Sequence, residues 1–417
     1  MPTVFVINVS IYFLLIWFFL IFFIKIVIIG FIINNRLSHT QLQRKSRLIM
    51  NRDIKVDIIK GIAILLMVLG HARFPGTEFV YMFHMAVFFM ASGYFIKEKH
   101  ADSITSVKNT IIKRIKGLWL PFVVWNTIFT LCHNFFIMSN IYTSDTGVTA
   151  YLDPSLVSIS KTLSVKEMAV NIFKGLFMAG HTELGGAFWF LRVLFYISVA
   201  YVIIDFCLKK ILKNQTRVII AQGIISAVFL TIGFFMSLKS IEVFATDRFF
   251  SCYSLYYIGM LLSKINTGKL KLWHYIVMTI LGFSAVLVLS NFGSISIGNN
   301  DYVNPAFMLG ASLAGWFFLF GIAGLFENIK GINSLFVILG QNTLGLVIFH
   351  FLCFKPVNII VALVNDWPMS TVAGFPVNYV SGCWWIAYTL SATILPIIIW
   401  TIWKKIKRRV IGTHITK

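Results

Sequence analysis

Charge is scarce in this chain, and negative charge is scarcest: 15 Asp and Glu stand among 417 residues, and all charged types together make up 12%. Soluble domains carry about 25% charged residues. A soluble globular protein is therefore excluded, and the 58% hydrophobic content fits a polytopic membrane protein. Cysteine is also sparse. Cys132, Cys207, Cys252, Cys353 and Cys383 are scattered, odd in number and mostly inside apolar runs. No CxxC or Cys/His ligand spacing occurs, which argues against a disulfide framework and against a zinc site. A cleavable signal peptide is not expected either. The apolar stretch 4–33 is too long for a signal h-region, and no small-residue cleavage site follows it.

What the chain does have is positive charge between long apolar runs. The formal net charge is +21. In a soluble protein that excess would point to nucleic acid; here the basic residues lie between apolar segments, where they set orientation in a bilayer. After residues 4–33, runs long enough to span fall near 57–74, 79–96, 118–138, 186–208, 217–237, 249–263, 273–292, 305–326, 335–354 and 383–403. One set of alternate loops holds 27 of the Lys and Arg residues and the other holds 7, so the first set is assigned to the cytoplasm. The expected fold class is all-α: a polytopic integral membrane helical bundle of ten core transmembrane helices plus one extra N-terminal span.

Two domains are expected: 1–50, an extra span with a basic linker, and 51–410, the membrane domain. Met50-Asn51-Arg52-Asp53 would make a natural start for a ten-span protein, so residues 1–49 are read either as an accessory span or as an upstream extension. No soluble domain is expected at either end. The longest outer loop is 139–185. Within it, 167–180 is apolar on one side and reads as an interfacial or a re-entrant helix. A second outer loop covers 355–382.

The candidate chemistry begins in the second apolar run. Lys60 and His71 are eleven residues apart, about three helical turns, which returns His71 to the face of Lys60 roughly 16 Å deeper. Asp57 shares the stripe. Ionisable groups at that depth are costly and point by default to function, and an imidazole suits proton abstraction. Lys60 alone reads equally as a snorkelling anchor, with Asp57 as its partner. In the next run His84 lies near the outer end, where an interfacial hydrogen bond is its ordinary role. Ser92-Gly93 permits close helix packing, and no GxSxG surrounds that serine.

These residues carry a resemblance. Arg52-Asp53-x3-Asp57-x2-Lys60-Gly61-x9-His71, followed by Phe83-His84-Met85-x2-Phe88-Phe89-x2-Ser92-Gly93-Tyr94, is similar to the opening of the membrane-bound acyltransferase-3 family, in particular its fucose 4-O-acetylase-like branch. Three later pieces agree: Lys113-Arg114-x-Lys116 before Pro121, Phe188-Trp189-Phe190-Leu191, and Leu339-Gly340-Gln341-Asn342-Thr343-Leu344 ending at His350. The resemblance covers residues 51 to about 403. It implies transfer of an acyl group, usually acetyl from cytoplasmic acetyl-CoA as co-substrate, to a hydroxyl of a surface glycan or its lipid-linked precursor. It implies a bacterial inner (plasma) membrane location, no metal and no nucleic acid. The family signature is Arg/Lys-x10-His, here Lys60 and His71; the family more often has Arg first, and Lys lacks the bidentate fork.

On that resemblance His71 is the catalytic base or the group that takes the acyl chain, with Lys60 and Asp57 beside it. Lys113, Arg114 and Lys116 face the phosphates of the CoA, although ordinary positive-inside charge explains them as well. His84, Trp189, Arg192 and Glu183 are the candidates on the acceptor side. Arg192 is either an oxyanion partner or the mate of Glu183 or a lipid headgroup. His181 also sits outside, before Trp189. Asn342 and His350 read as helix–helix hydrogen-bonding groups. The rival reading is a polysaccharide polymerase or flippase, which shares the many spans and the basic balance.

Overall fold

The structure, a computed structural model, describes residues 54–242 and 246–415. The expected N-terminal span and linker, with Arg52 and Asp53, lie outside the described residues. In chain order the helices are α1 (Ile54–His71), α2 (Thr77–Tyr81), α3 (His84–Tyr94), α4 (Ile104–Arg114), α5 (Leu120–Leu131), α6 (His133–Met138) and α7 (Val165–Leu176). Then come α8 (Phe188–Leu212), α9 (Gln215–Leu238), α10 (Thr246–Leu262) and α11 (Leu272–Leu289). A two-stranded hairpin, β1 (Ile295–Ser296) with β2 (Asp301–Tyr302), precedes α12 (Pro305–Phe326), α13 (Ile332–Gln341), α14 (Thr343–Val364) and α15 (Trp384–Ile415).

The all-helical expectation holds. Among the described residues, six helices are long and apolar enough to cross a membrane: α8, α9, α11, α12, α14 and the first part of α15. The remaining expected spans are shorter or interrupted, for local reasons. The run 57–74 stops as a helix at His71, because Arg73 takes a left-handed conformation (φ 58°) and Pro75 follows, which cannot continue a helix. The run 79–96 is divided at Met82-Phe83 between α2 and α3. The run 118–138 is part of a longer path from α4 to α6, joined by a wide turn over Ile115–Trp119. Pro121 lacks an N–H and crowds the carbonyl four residues back, and the turn relaxes to an i−5 bond from Leu120 to Ile115. The run 335–354 is split at Asn342, which moves the long helix to 343–364.

In lipid, helices gain little from apolar contact with one another and rely on close backbone approach. Two glycine crossings supply it. Gly93 of α3 and Gly259 of α10 face each other, and a Cβ on either would strike the Tyr256 or the Met90 carbonyl. Gly61 of α1 and Gly340 of α13 do the same against Phe336 and Asp57. The result puts α1 at the centre, buried from Val56 to Gly70 at all but two positions. By contrast α9 and α11 expose Ile220, Ile224, Ile280 and Leu281, an apolar periphery suited to lipid.

Loops at the Lys-rich end are tied together by charge: Lys209 binds Asp102 (2.9 Å), Lys264 binds Glu98 (2.5 Å) and Lys55 binds Glu327 (3.1 Å). At the other end the chain folds back into the bundle. Leu176 at the end of α7 accepts from the Trp119 indole (3.0 Å), and Phe177 and Met178 accept from Tyr196 (3.1 Å) and Arg192 (2.9 Å). Tyr196 lies about 12 Å along α8 from its start. These bonds tie the C-terminal end of α7 to the start of α5 and to α8, while Val170, Phe173 and Phe177 stay exposed.

Candidate active site

A cavity of about 1090 Å³ opens at the end opposite the lysine-rich loops. Its lining runs from Arg73, just past the end of α1, back along α1 through His71 and Met67 to Ile64, then crosses α3 at His84 and Phe88 and α8 at Trp189 and Phe190. Three loop segments complete the wall: Ser155-Leu156, the hairpin residues 295–299, and Phe375-Pro376 with Tyr379.

His71 ends α1 and lines the cavity, three turns from Lys60 rather than inside a span running on to residue 74. Its ring lies 5.4 Å from that of His350, with planes inclined by 28°, and 4.9 Å from Phe351. His84 is buried on the same wall. Its Nδ1–H donates to the Val80 carbonyl (2.9 Å), which leaves Nε2 as the acceptor of the neutral ring. Trp189 faces Gly298 of the hairpin, where a Cβ would already touch the indole at 3.4 Å. The hairpin is fixed from behind: Arg248 Nε donates to the Gly298 carbonyl (2.5 Å), and Asn300 accepts from Ser251 (2.6 Å) while donating to Gly233 (3.1 Å).

The remaining candidates sit elsewhere. Lys60 binds Asp57 at 2.9 Å and lies over the Phe95 ring at 5.2 Å. Both are on the His71 stripe, Lys60 about three turns and Asp57 about four turns away, and neither lines the cavity. Arg114 donates to the Tyr256 hydroxyl (3.3 Å), whereas Lys113 and Lys116 are exposed. Tyr256 in turn packs against Tyr201 at 5.2 Å, on the wall of a second cavity of about 490 Å³ lined also by Lys97, Lys99 and Lys264.

Arg192 is not paired with Glu183. It is buried beside the wall, held by the Met178 carbonyl, with Nε lacking a partner among the described residues. Only Nη1 is engaged by Met178, so Nε keeps a free N–H, but Arg192 does not line the cavity. Glu183 faces Lys355 instead, and burial pushes its carboxyl up to about 7, with Lys355 opposing. Lys355 is buried in α14 and donates to the carbonyls of Val372 (3.2 Å), Ala373 (3.0 Å) and Gly374 (3.0 Å). Asn358, one turn on, donates to two of the same carbonyls. The loop that carries Phe375 and Tyr379 is thereby locked to α14. His181 is exposed, with Nδ1 on the Thr182 carbonyl (3.1 Å).

Asn342 makes the helix–helix link expected of it, accepting from Lys404 of α15 (2.9 Å). His350 does not: its Nδ1–H donates within its own helix to Leu346 (2.8 Å). Sequence reasoning missed the loop walls altogether. Only the Asn299-Asn300-Asp301 turn signal could have flagged the hairpin. Arg73 and Glu78 at the cavity rim look like ordinary loop charges in the sequence. Among the described residues no group of three or more His, Cys, Asp or Glu side chains could hold a metal.

Comparison with known proteins adds two findings. Residues 53–401 match the family described as acyltransferase domain. The nodulation protein NolL of Mesorhizobium japonicum is 25% identical over 269 residues, covering 61% of this chain and 60% of that protein. The chain thus spans about three-fifths of the length of the curated relative it matches. No solved structure matches it.

Proposed function

Because the chain belongs to the acyltransferase domain family across residues 53–401, we propose that it is a membrane-bound O-acyltransferase. In this reading it moves an acetyl group from cytoplasmic acetyl-CoA to a sugar hydroxyl of a bacterial surface polysaccharide or its lipid-linked precursor. It does so in the inner membrane as a ten-span domain over 51–410, with residues 1–50 outside it as an accessory span or an upstream extension. The observation that carries the reading is the cavity. His71 lines it, and the lining continues down α1 to Ile64, one turn and about 6 Å short of Lys60. A single helix thus marks a line from the lysine-rich end to an open chamber large enough for a sugar.

The donor thioester supplies a carbonyl already activated toward attack. His71 accepts the proton of the acceptor hydroxyl as its oxygen bonds to the acyl carbon, and returns that proton to sulfur as the C–S bond breaks. The enzyme ends as it began. His84, with Nδ1 committed to Val80, keeps Nε2 for a sugar hydroxyl, and Trp189 offers a flat apolar face to a pyranose ring. Lys113, Arg114 and Lys116 are assigned to the donor's phosphates. They fit that task, since two are exposed and Arg114 is oriented by Tyr256.

The test is NMR of the polysaccharide from the parent strain and from one carrying His71→Ala. The expected result is loss of O-acetyl signals on chains of normal length, with the variant still inserted in the membrane. Unchanged acetyl content would sink the reading. Shortened chains with normal acetylation would favour a polymerase, and lost export of unaltered units a flippase.

A further inference from the structure

His350 is fully buried in α14 and does not line the cavity; its neighbours Val347 and Phe351 do. It sits behind His71, with ring centroids 5.4 Å apart. Its Nδ1–H is committed to the Leu346 carbonyl at 2.8 Å, and its Nε2 is buried with no hydrogen-bond partner among the described residues. With Nδ1 as the donor, the free Nε2 of a neutral ring is an acceptor only. A buried acceptor without a donor is costly, and a phenylalanine would fill the same space without that cost.

The donor it lacks is next to it. A neutral imidazole that offers one nitrogen as a base carries an N–H on the other. His71 has ring contacts with His350 and Phe351 but no hydrogen bond within the described residues. One ring therefore has a donor without an acceptor, and its neighbour has an acceptor without a donor. The two rings are stacked, 28° from parallel. Ring nitrogens lie a little over 1 Å from their own centroid, so the closest approach this separation allows is about 3 Å, a hydrogen-bond distance reached when the His71 ring turns its N–H edge toward Nε2.

We propose that His350 is a positioning residue: its Nε2 accepts the second N–H of His71, fixing the tautomer that presents a basic nitrogen to the cavity and stabilising the ring while it holds the hydroxyl's proton. No proton passes to His350. It does for His71 what the third member of a nucleophile–base–orienter set does for its base, with a neutral ring in place of a carboxylate. The inference rests on the reading of His71 as the base.

The experiment uses the full chain in native membranes that contain the acceptor, with acetyl-CoA as donor, and follows thiol release. Four variants are compared with the parent: His71→Ala, His350→Phe, His350→Asn and His350→Gln. Thermal melting of each is recorded in parallel. His350→Phe is expected to lower kcat about 100-fold with KM for acetyl-CoA within twofold. Gln carries its carbonyl oxygen near the place of Nε2, and Asn carries its own near Nδ1. His350→Gln should therefore recover most of kcat and His350→Asn should not, at equal melting temperature. Parental kcat in His350→Phe, or equal losses in the Gln and Asn variants, would overturn the inference. Activity retained by His71→Ala would instead overturn the reading on which it rests.

Discussion

Lys60 Nζ lies 2.9 Å from Asp57 Oδ1, and the carboxylate it binds is 1% exposed. Asp57 also faces Gly340 of α13 through its backbone, so this ion pair lies where the two helices touch. Removing one partner of a buried pair leaves the other charge exposed to a low-dielectric interior. Lys60→Met is expected to destabilise the protein by on the order of 3 kcal/mol, while Lys60→Arg keeps the charge. The check is thermal melting in detergent; a Lys60→Met melting temperature equal to that of the parent would mean that the pair contributes nothing to the fold.

Gly93 and Gly259 let α3 and α10 cross with backbone in contact, and the obstacle to a larger residue is backbone rather than a movable side chain. Gly93→Ala should cost about 1–3 kcal/mol as overpacking. Ser92→Ala, next to it, should cost less, because the Ser92 hydroxyl only bonds back to Phe88 in its own helix (2.9 Å). Yields of folded protein after detergent extraction would rank the two, and the reverse order would contradict this account of the crossing.

Met67 lines the cavity one turn below His71, on the side toward Lys60. If the acyl group travels along α1, shortening this side chain makes room beside the reacting carbonyl. Met67→Ala should raise the ratio of butyryl to acetyl transfer about tenfold, the order that one or two methylenes carry in an apolar pocket. Comparing turnover with acetyl-CoA and butyryl-CoA measures it. A ratio unchanged from the parent would put the acyl chain elsewhere.

Glu183 is raised by burial to about 7 from 4.5, and this sets the sign of its effect on stability. A carboxyl whose folded value is raised binds its proton more tightly in the folded state, so stability is greatest below the unfolded value and falls as pH rises through the window from 4.5 to about 7. The parent should therefore lose more melting temperature between pH 4.5 and 7.5 than Glu183→Gln does. Parallel pH profiles for the two proteins would refute the assignment.

The sequence by itself determined the class and singled out the candidate base. Apolar runs, sparse charge and the 27-to-7 distribution of Lys and Arg mark a helical membrane protein, because a bilayer leaves the backbone few other ways to satisfy its hydrogen bonds. The spacing of Asp57, Lys60 and His71 was legible because helical periodicity converts sequence distance into a shared face. Tertiary structure alone decided the rest. It separated Lys60 from the cavity by a turn of α1 and turned Arg192 to Met178 rather than Glu183. It broke expected spans at Arg73, Met82 and Asn342. It built the cavity wall from residues 155–156, 295–299 and 375–379 and brought His350 up behind His71, 279 positions away in the chain. Pairings of that kind depend on which helices cross closely and which loops are locked by single buried groups such as Lys355 and Asn358. No local periodicity encodes them.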